Sequence, residues 1–312
     1  YETSRGCVFK CRFCDYDHRT KWRGKSVEKV ISDFKKIITL FNPEEIQISD
    51  AYFFGSIKRV EEICKRKIEC GLQFRWNTSC RFDILSKVGD EILILLKKSG
   101  CFGLTFGGES GSIKVQRYIN KEITKEQILS GVRRCLKYGI TPTVAFMTGF
   151  PIETTEDLNE TLNLIDLLQK EYHGVEINGL RLLQHFPDTP LTDEILQTYK
   201  IYQPTNLEEW TRYDIIWPKR SNYPWLSNSE YSVRKIIASV VNYNYLSSRL
   251  LNFPREQRKG TVLRSNVIFG LFKLFDKIVR VFVHLRWSKK IVRFPLEWKL
   301  WDLIRRYVLH TC

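Results

Sequence analysis

Three thiols crowd into eight residues near the start of the chain, as Cys7, Cys11 and Cys14. Thiolates this close together can wrap one metal centre. A cubane iron–sulfur cluster takes four such ligands, so three would leave one iron open to bind and polarise a small molecule. A second chemistry fits the same spacing: His18 lies four residues beyond Cys14 and would complete a Cys3His zinc site. The spacing leaves both open. The other six cysteines are scattered at 64, 70, 80, 101, 135 and 312, so a stapled secreted scaffold is not indicated. They read as small buried hydrophobes in a reducing, cytoplasmic setting.

The elements that must position these thiols follow from hydrophobic periodicity. Short β-rich runs at 1–5, 45–49, 73–78, 101–106, 141–147 and 174–183 alternate with amphipathic helical stretches at 27–41, 56–70, 86–99, 125–138 and 155–171. In the first helix Val27, Val30, Ile31, Phe34, Ile37, Ile38 and Phe41 form one apolar stripe. Ser86, Thr124 and Thr155 read as helix caps, and Gly71, Gly100 and Gly139 stand where helices should stop. Six strand–helix repeats imply parallel strands with helical crossovers, in an α/β fold. A doubly wound sheet and a partial barrel both satisfy the pattern. In either, function gathers at the carboxyl ends of the strands. The unusual residues fall there in order: the three cysteines, Asp50, Arg81, Gly107-Gly108-Glu109-Ser110-Gly111, Gly149-Phe150-Pro151 and Gln184-His185.

Several of these segments together resemble the radical S-adenosylmethionine (SAM) superfamily. The cysteine loop, residues 3–12 followed by Phe13 and Cys14, resembles its cluster loop, down to the aromatic residue before the third cysteine. Residues 107–112, 119–124, 149–154 and 186–191 are similar to the subgroup that usually carries an N-terminal cobalamin-binding domain. The resemblance runs from Thr3 to about Tyr213. It implies a partial (β/α)6 TIM-type barrel over residues 1–213. It also implies a [4Fe-4S] cluster on Cys7, Cys11 and Cys14, with SAM on the open iron and its reductive cleavage to a 5′-deoxyadenosyl radical. By the same resemblance Phe13 would lie near adenine, Glu109 would take the ribose hydroxyls, Gly107 and Gly108 would let backbone approach the nucleoside, and Ser110 beside them is a further cofactor-binding candidate. Lys121 would pair with the SAM carboxylate, Phe150 would wall the adenine, and Arg81 would face the pocket. Many relatives carry two acidic residues where this chain has Asp50-Ala51, so a contact of the second carboxylate with the SAM amino group is either weakened here or moved to Asp50. Each assignment has a plainer alternative: core packing for Phe13, a helix cap for Glu109, a solvated surface for Lys121, a structural ion pair for Arg81. Gln184 and His185 are substrate-side candidates.

The resemblance further implies modification of a lipid, pigment or natural product, by methylation or by C–C or C–S bond formation. An electron donor such as flavodoxin or ferredoxin is implied, together with cobalamin if the usual cobalamin domain accompanies this chain, and SAM alone if it does not. A chain starting at Tyr rather than Met is expected to be a fragment or processed product. No signal peptide or apolar run of about 18 residues is present. Charge divides the chain. Residues 214–312 carry 19 Lys/Arg against 6 Asp/Glu, while residues 1–213 carry 31 against 29. The basic part reads as a mostly helical extension. Its amphipathic runs at 274–287 and 298–308 fit either a lid on the barrel or contact with an anionic inner-membrane surface. A zinc-stabilised nucleic-acid-binding protein using Cys7, Cys11, Cys14 and His18 is the competing function, although no nucleic-acid motif accompanies the charge.

Overall fold

The structure, a computed structural model, describes residues 1–15, 21–212 and 219–251. His18 and the amphipathic runs at 274–287 and 298–308 lie outside the described residues. The chain divides into two compact units. The first comprises Tyr1–Phe146, Ile152–Ile177 and Gln184–Gln203, the second Met147–Pro151, Asn178–Leu183 and the chain from Pro204 onward.

In the first unit β1 (Ser4–Arg5) pairs antiparallel with β2 (Arg23–Gly24), and the cysteine loop lies between them. Then follow α1 (Val27–Phe41), β3 (Glu45–Gln47), α2 (Ile57–Glu69), β4 (Arg75–Cys80), α3 (Phe82–Leu85), α4 (Asp90–Lys98) and β5 (Cys101–Glu109). The series continues through α5 (Ile113–Tyr118), α6 (Lys125–Lys137), β6 (Thr141–Thr148), α7 (Thr155–Glu171), β7 (Glu176–Leu182) and α8 (Pro190–Tyr199). Strands β3 to β7 form one sheet in sequence order, with β3 to β6 paired in parallel. A doubly wound sheet reverses its order at a switch point. This one does not, and its winding is that of a partial barrel.

The sheet holds five strands rather than six. The first expected strand is reduced to an edge contact: the Tyr1 amino group donates to the Gln47 carbonyl at 2.8 Å, and Ser49 N–H donates to the Tyr1 carbonyl at 2.9 Å. Gly6, at φ +83°, then turns the chain into the cysteine loop. The helix expected at 86–99 is two helices. Gly89 caps α4, while Ser86 ends α3 instead of starting a helix. The cap of α7 is Thr154, not Thr155. A capping box needs an acceptor three residues on, and Asp157 supplies it to Thr154, where Thr155 would find Leu158. The stripe of α1 is buried only through Phe34, and Phe41 is 74% exposed. Gly71, Gly100 and Gly139 do end helices, with φ between +61° and +90°.

Helices cover one face of the sheet with Trp76, Leu104, Phe106 and Val144, all buried. Phe82 of α3 stacks on Phe106 at 4.2 Å between ring centroids. Cys64, Cys80, Cys101 and Cys135 are buried in this unit as free thiols, while Cys70 is half-buried. The second unit holds the ends of β6 and β7, α9 (Leu207–Arg212) and α10 (Asn228–Leu251). Among the described residues no helix is long and apolar enough to cross a membrane.

Candidate active site

The site is built on the carboxyl end of β5. Its register against β6 slips between Gly107 and Glu109, so Gly108 is the extra residue of a β-bulge. Bulges re-aim side chains at functional sites. Here Glu109 sits in the left-handed region, at φ +54°, which costs a residue with a Cβ about 1 kcal/mol. The result is that its carboxylate lies over Gly107. A Cβ on Gly107 would fall 2.0 Å from Glu109 Oε1 and 2.3 Å from Lys121 Nζ. Glycine at this position is therefore the cradle for a buried ion pair, Lys121 Nζ to Glu109 Oε1 at 2.5 Å. Lys121 is neither solvated nor on the surface, and Glu109 caps no helix: the cap of α5 is Ser112.

Lys121 is delivered by an equally strained turn, since Asn120 and Glu122 on either side of it also have φ near +55°. Gln116, fully buried on α5, ties this turn to the bulge. Its side-chain amide N–H donates to the carbonyls of Gly108 and Ser110 at 2.6 and 2.7 Å, and its backbone carbonyl accepts from Lys121 N–H and Glu122 N–H. Phe13 is half-buried, with its ring 6.0 Å from Lys121 Nζ.

The cysteine loop is bound to the same turn. Asn120 Nδ2 donates to the Lys10 carbonyl, and Arg12 N–H donates to the Ile119 carbonyl. Arg81, directly after β4, joins the two. It donates to Cys11 Sγ at 3.4 Å and to the Lys121 carbonyl at 3.0 Å, lies 3.7 Å over Phe9, and is neutralised by Asp83. The ion-pair partner expected for Arg81 is Asp83. Burial raises the pKa of the Cys7 thiol, an effect opposed by backbone hydrogen bonds from Phe9 and Val8 and by the charge of Arg81. Cys11 is buried and Cys14 half-buried, and neither Cys7, Cys11 nor Cys14 is in a disulfide.

The remaining candidates have other partners or surroundings. Asp50 accepts from Thr3 N–H, Thr3 Oγ1 and Ser4 Oγ, all within 2.6 Å, and so fixes the strand that leads into the cysteine loop. Ser110 is turned toward Thr161 of α7, 3.0 Å away. Phe150 is buried in the second unit, where Trp225 Nε1 donates to the adjacent Gly149 carbonyl. Gln184 is half-buried; His185 is buried, and burial lowers its pKa to about 4, leaving a neutral imidazole near pH 7.

The sequence did not point to Glu194. On α8 it pairs with Arg12 of the cysteine loop and accepts from Tyr118 Oη at 2.8 Å, while Leu191 N–H donates to the Arg12 carbonyl. Burial opposes the Glu194 carboxylate, yet hydrogen bonds from Arg12 and Tyr118 outweigh it and hold its pKa low. The pair is partly exposed, so its contribution to global stability is about 0–1 kcal/mol. Its effect should appear in the loop. Glu194→Ala is expected to leave the melting temperature nearly unchanged while a chelator strips iron from the reconstituted protein several times faster. An unchanged stripping rate would mean that the clamp does not steady the loop.

Residues 1–165 match the Radical SAM superfamily. The chain belongs to this superfamily. An uncharacterized methyltransferase of Pyrococcus horikoshii is 33% identical over 88% of the chain and 56% of its own length. The anaerobic magnesium-protoporphyrin IX monomethyl ester cyclase of Cereibacter sphaeroides is 22% identical over 88% of the chain and 42% of its own. Among solved structures, the cobalamin-dependent SAM radical enzyme OxsB with aqua-cobalamin bound has the same fold. Its TM-score is 0.65 at 18% identity, covering 98% of this chain and 49% of OxsB. The radical SAM methyltransferase TsrM of Kitasatospora setae, with cobalamin and a [4Fe-4S] cluster bound, gives 0.55 over 65% of this chain. The chain thus spans about half the length of the relatives it matches.

The donor set fits the radical SAM cofactors. Three free thiols lie on one loop, a guanidinium faces one of their sulfurs, and a buried carboxylate and ammonium sit over a glycine that leaves them room. Among the described residues no three His, Cys, Asp or Glu side chains converge on a single metal ion. A cubane does not require that, because each of its thiolates binds a different iron.

Proposed function

We propose that this chain is the catalytic core of a radical SAM enzyme of methyltransferase type. In this reading Cys7, Cys11 and Cys14 hold a [4Fe-4S] cluster, and SAM lies between it and the Glu109–Lys121 pair. The cofactors, once bound, supply one-electron cleavage of the sulfonium C–S bond and hence a carbon radical. The protein's own residues orient and shield that chemistry. Arg81 carries positive charge to the cluster sulfurs, Lys121 offers an ammonium to a carboxylate, Glu109 accepts from a diol, and Phe13 supplies an aromatic face beside Lys121. One observation carries the reading. The guanidinium of Arg81 bridges a cluster-loop sulfur and the backbone of Lys121, so the thiols and the buried ion pair form one constellation.

We propose residues 1–213 as the catalytic core and 214–312 as a basic extension. The substrate is a small or lipid-like metabolite, pigment or natural product, and the electron donor is a flavodoxin or ferredoxin. Cobalamin is proposed as a cofactor held by residues outside this chain. The setting is cytoplasmic, with contact at the inner membrane surface through the basic extension. Anaerobic reconstitution with iron and sulfide tests the core of the reading. A broad brown absorption, and a reduced-cluster EPR signal that changes on adding SAM, is the expected result. A colourless protein retaining about one zinc per chain would overturn it in favour of the Cys3His alternative.

A further inference from the structure

The interior of a closed β/α barrel is a packed core, filled by layers of Val, Ile and Leu from alternate strands. The face of this sheet turned away from the helices has a different composition. Cross-strand register aligns Gln47, Asn77, Gly103 and Thr141 in one row, and Ser79, Thr105 and Thr143 in the next. The row after that is Gly107 and Ala145, where the Glu109 and Lys121 side chains lie over Gly107. Successive rows are about 7 Å apart and neighbouring strands about 4.8 Å. No bulky branched side chain stands among these positions.

Gly103 is buried, but the polar side chains are not: Gln47 and Ser79 are exposed, and Asn77, Thr105, Thr141 and Thr143 are half-buried. Their alternates Ile46, Trp76, Thr78, Leu104, Phe106 and Val144 are all buried under the helices. Thr143 Oγ1 donates to Glu176 at 3.2 Å. No side-chain hydrogen bond joins Gln47, Asn77, Ser79 or Thr105 to any described residue. Charge stands at both ends of the strands and at Thr143: Arg75 pairs with Glu45 and lies over the Phe102 ring at one end, and Glu109 pairs with Lys121 over Gly107 at the other.

We infer that Gln47, Asn77, Ser79 and Thr105, around the gap at Gly103, form a subsite for an uncharged hydroxyl- or amide-bearing group of the substrate. The inference deepens the proposed function and rests on it for what is done to that group. An alkyl chain or the face of a macrocycle here would strip water from four hydrogen-bonding side chains and return nothing, a mismatch that polar pockets reject strongly. A sugar-like or amide group would replace that water bond for bond. Of the substrate classes considered, this favours a polar natural product over a lipid.

Saturation-transfer NMR on the reconstituted protein with SAM, without reductant, tests this with two probes, methyl β-glucoside and 1-octanol. The glucoside should be saturated by the wild-type protein and lose most of that signal in Thr105→Val/Ser79→Ala. Octanol should gain signal in the same variant. Gly103→Leu should exclude both probes. A Cβ there stands in van der Waals contact with the Thr141 carbonyl at 3.4 Å and Asn77 Cβ at 3.9 Å, so a side chain can be attached without a clash at Cβ. Thr105→Val alone, nearly isosteric, guards against misfolding of the double variant. Octanol binding to the wild-type protein in place of the glucoside, or a glucoside signal indifferent to all three variants, would overturn the inference. EPR of the same samples with SAM separates the two failures. A normal SAM response with no glucoside saturation sinks the subsite alone. A missing SAM response sinks the proposed function, while the saturation data still report on the sheet face.

Discussion

Alanine at Cys7, Cys11 or Cys14 is expected to abolish assembly of the iron–sulfur cluster, whereas alanine at Cys64 or Cys135 is expected to leave it intact. All five are free cysteines of the same unit, and the difference lies in what surrounds each sulfur. Iron binds thiolate, so a ligand must be able to shed its proton. Burial pushes the thiol pKa of Cys64 up to about 11 and that of Cys135 up to about 12, each from a usual value near 9. Both sulfurs are neutral at any physiological pH and serve as small apolar side chains. The loop sulfurs have different neighbours: the Arg81 guanidinium donates to Cys11 Sγ, and at Cys7 burial raises the thiol pKa while backbone N–H groups and the charge of Arg81 oppose it. Iron and sulfide content after anaerobic reconstitution decides the matter. Cys64→Ala should bind as much iron as the wild-type protein and lose only the modest stability that a small core vacancy costs, about 1 kcal/mol. Cys11→Ala should bind almost none while melting normally. Full iron incorporation in Cys11→Ala would remove the cluster from this loop.

Much of this arrangement was legible in the sequence because strand ends in α/β folds collect function, and Cys7, Arg81, Glu109 and Lys121 all follow β-rich runs or the turns after them. What periodicity could not supply was three-dimensional consequence. Ser110 sits within the glycine-rich run, yet the bulge at Gly108 and the left-handed Glu109 turn its hydroxyl toward Thr161. A lone Asp50 at a strand end suggests a ligand-facing carboxylate, while in the fold Thr3 and Ser4 supply three donors that bind it to the neighbouring strand. Neither event has a local signature, since each depends on where a distant strand lands. Glu194 is the extreme case: its partner Arg12 is 182 residues earlier, and no motif joins them. Arg12 itself, placed between two cysteines, was the available hint. The strand count failed for a related reason. Residues 1–5 have the composition of a strand, but Gly6 and the demands of the cysteine loop pull Ser4 and Arg5 into a pairing with Arg23 and Gly24.

The buried pair predicts a second large effect, and its sign depends on how many partners are removed. In the structure Glu109 and Lys121 satisfy each other, each with a side chain less than a tenth exposed. Removing one partner of a buried ion pair strands the other charge away from water, at a cost of about 3–5 kcal/mol; replacing both by groups of similar size is often close to neutral. Lys121→Met and Glu109→Gln should therefore each lower the urea midpoint of the cofactor-free protein, Lys121→Met more, because it leaves a bare carboxylate. The double variant should recover most of the loss. Binding should not follow stability. If the pair exists to meet a ligand bearing a diol and a carboxylate, the double variant remains folded and assembles its cluster, yet its EPR spectrum no longer responds to SAM. A double variant that recovers both stability and the SAM response would show the pair to be structural. One that stays as unstable as the single variants would show that the strained turn at Asn120–Glu122 and the bulge at Gly108 need the charges themselves, not merely the filled space, to hold their shape.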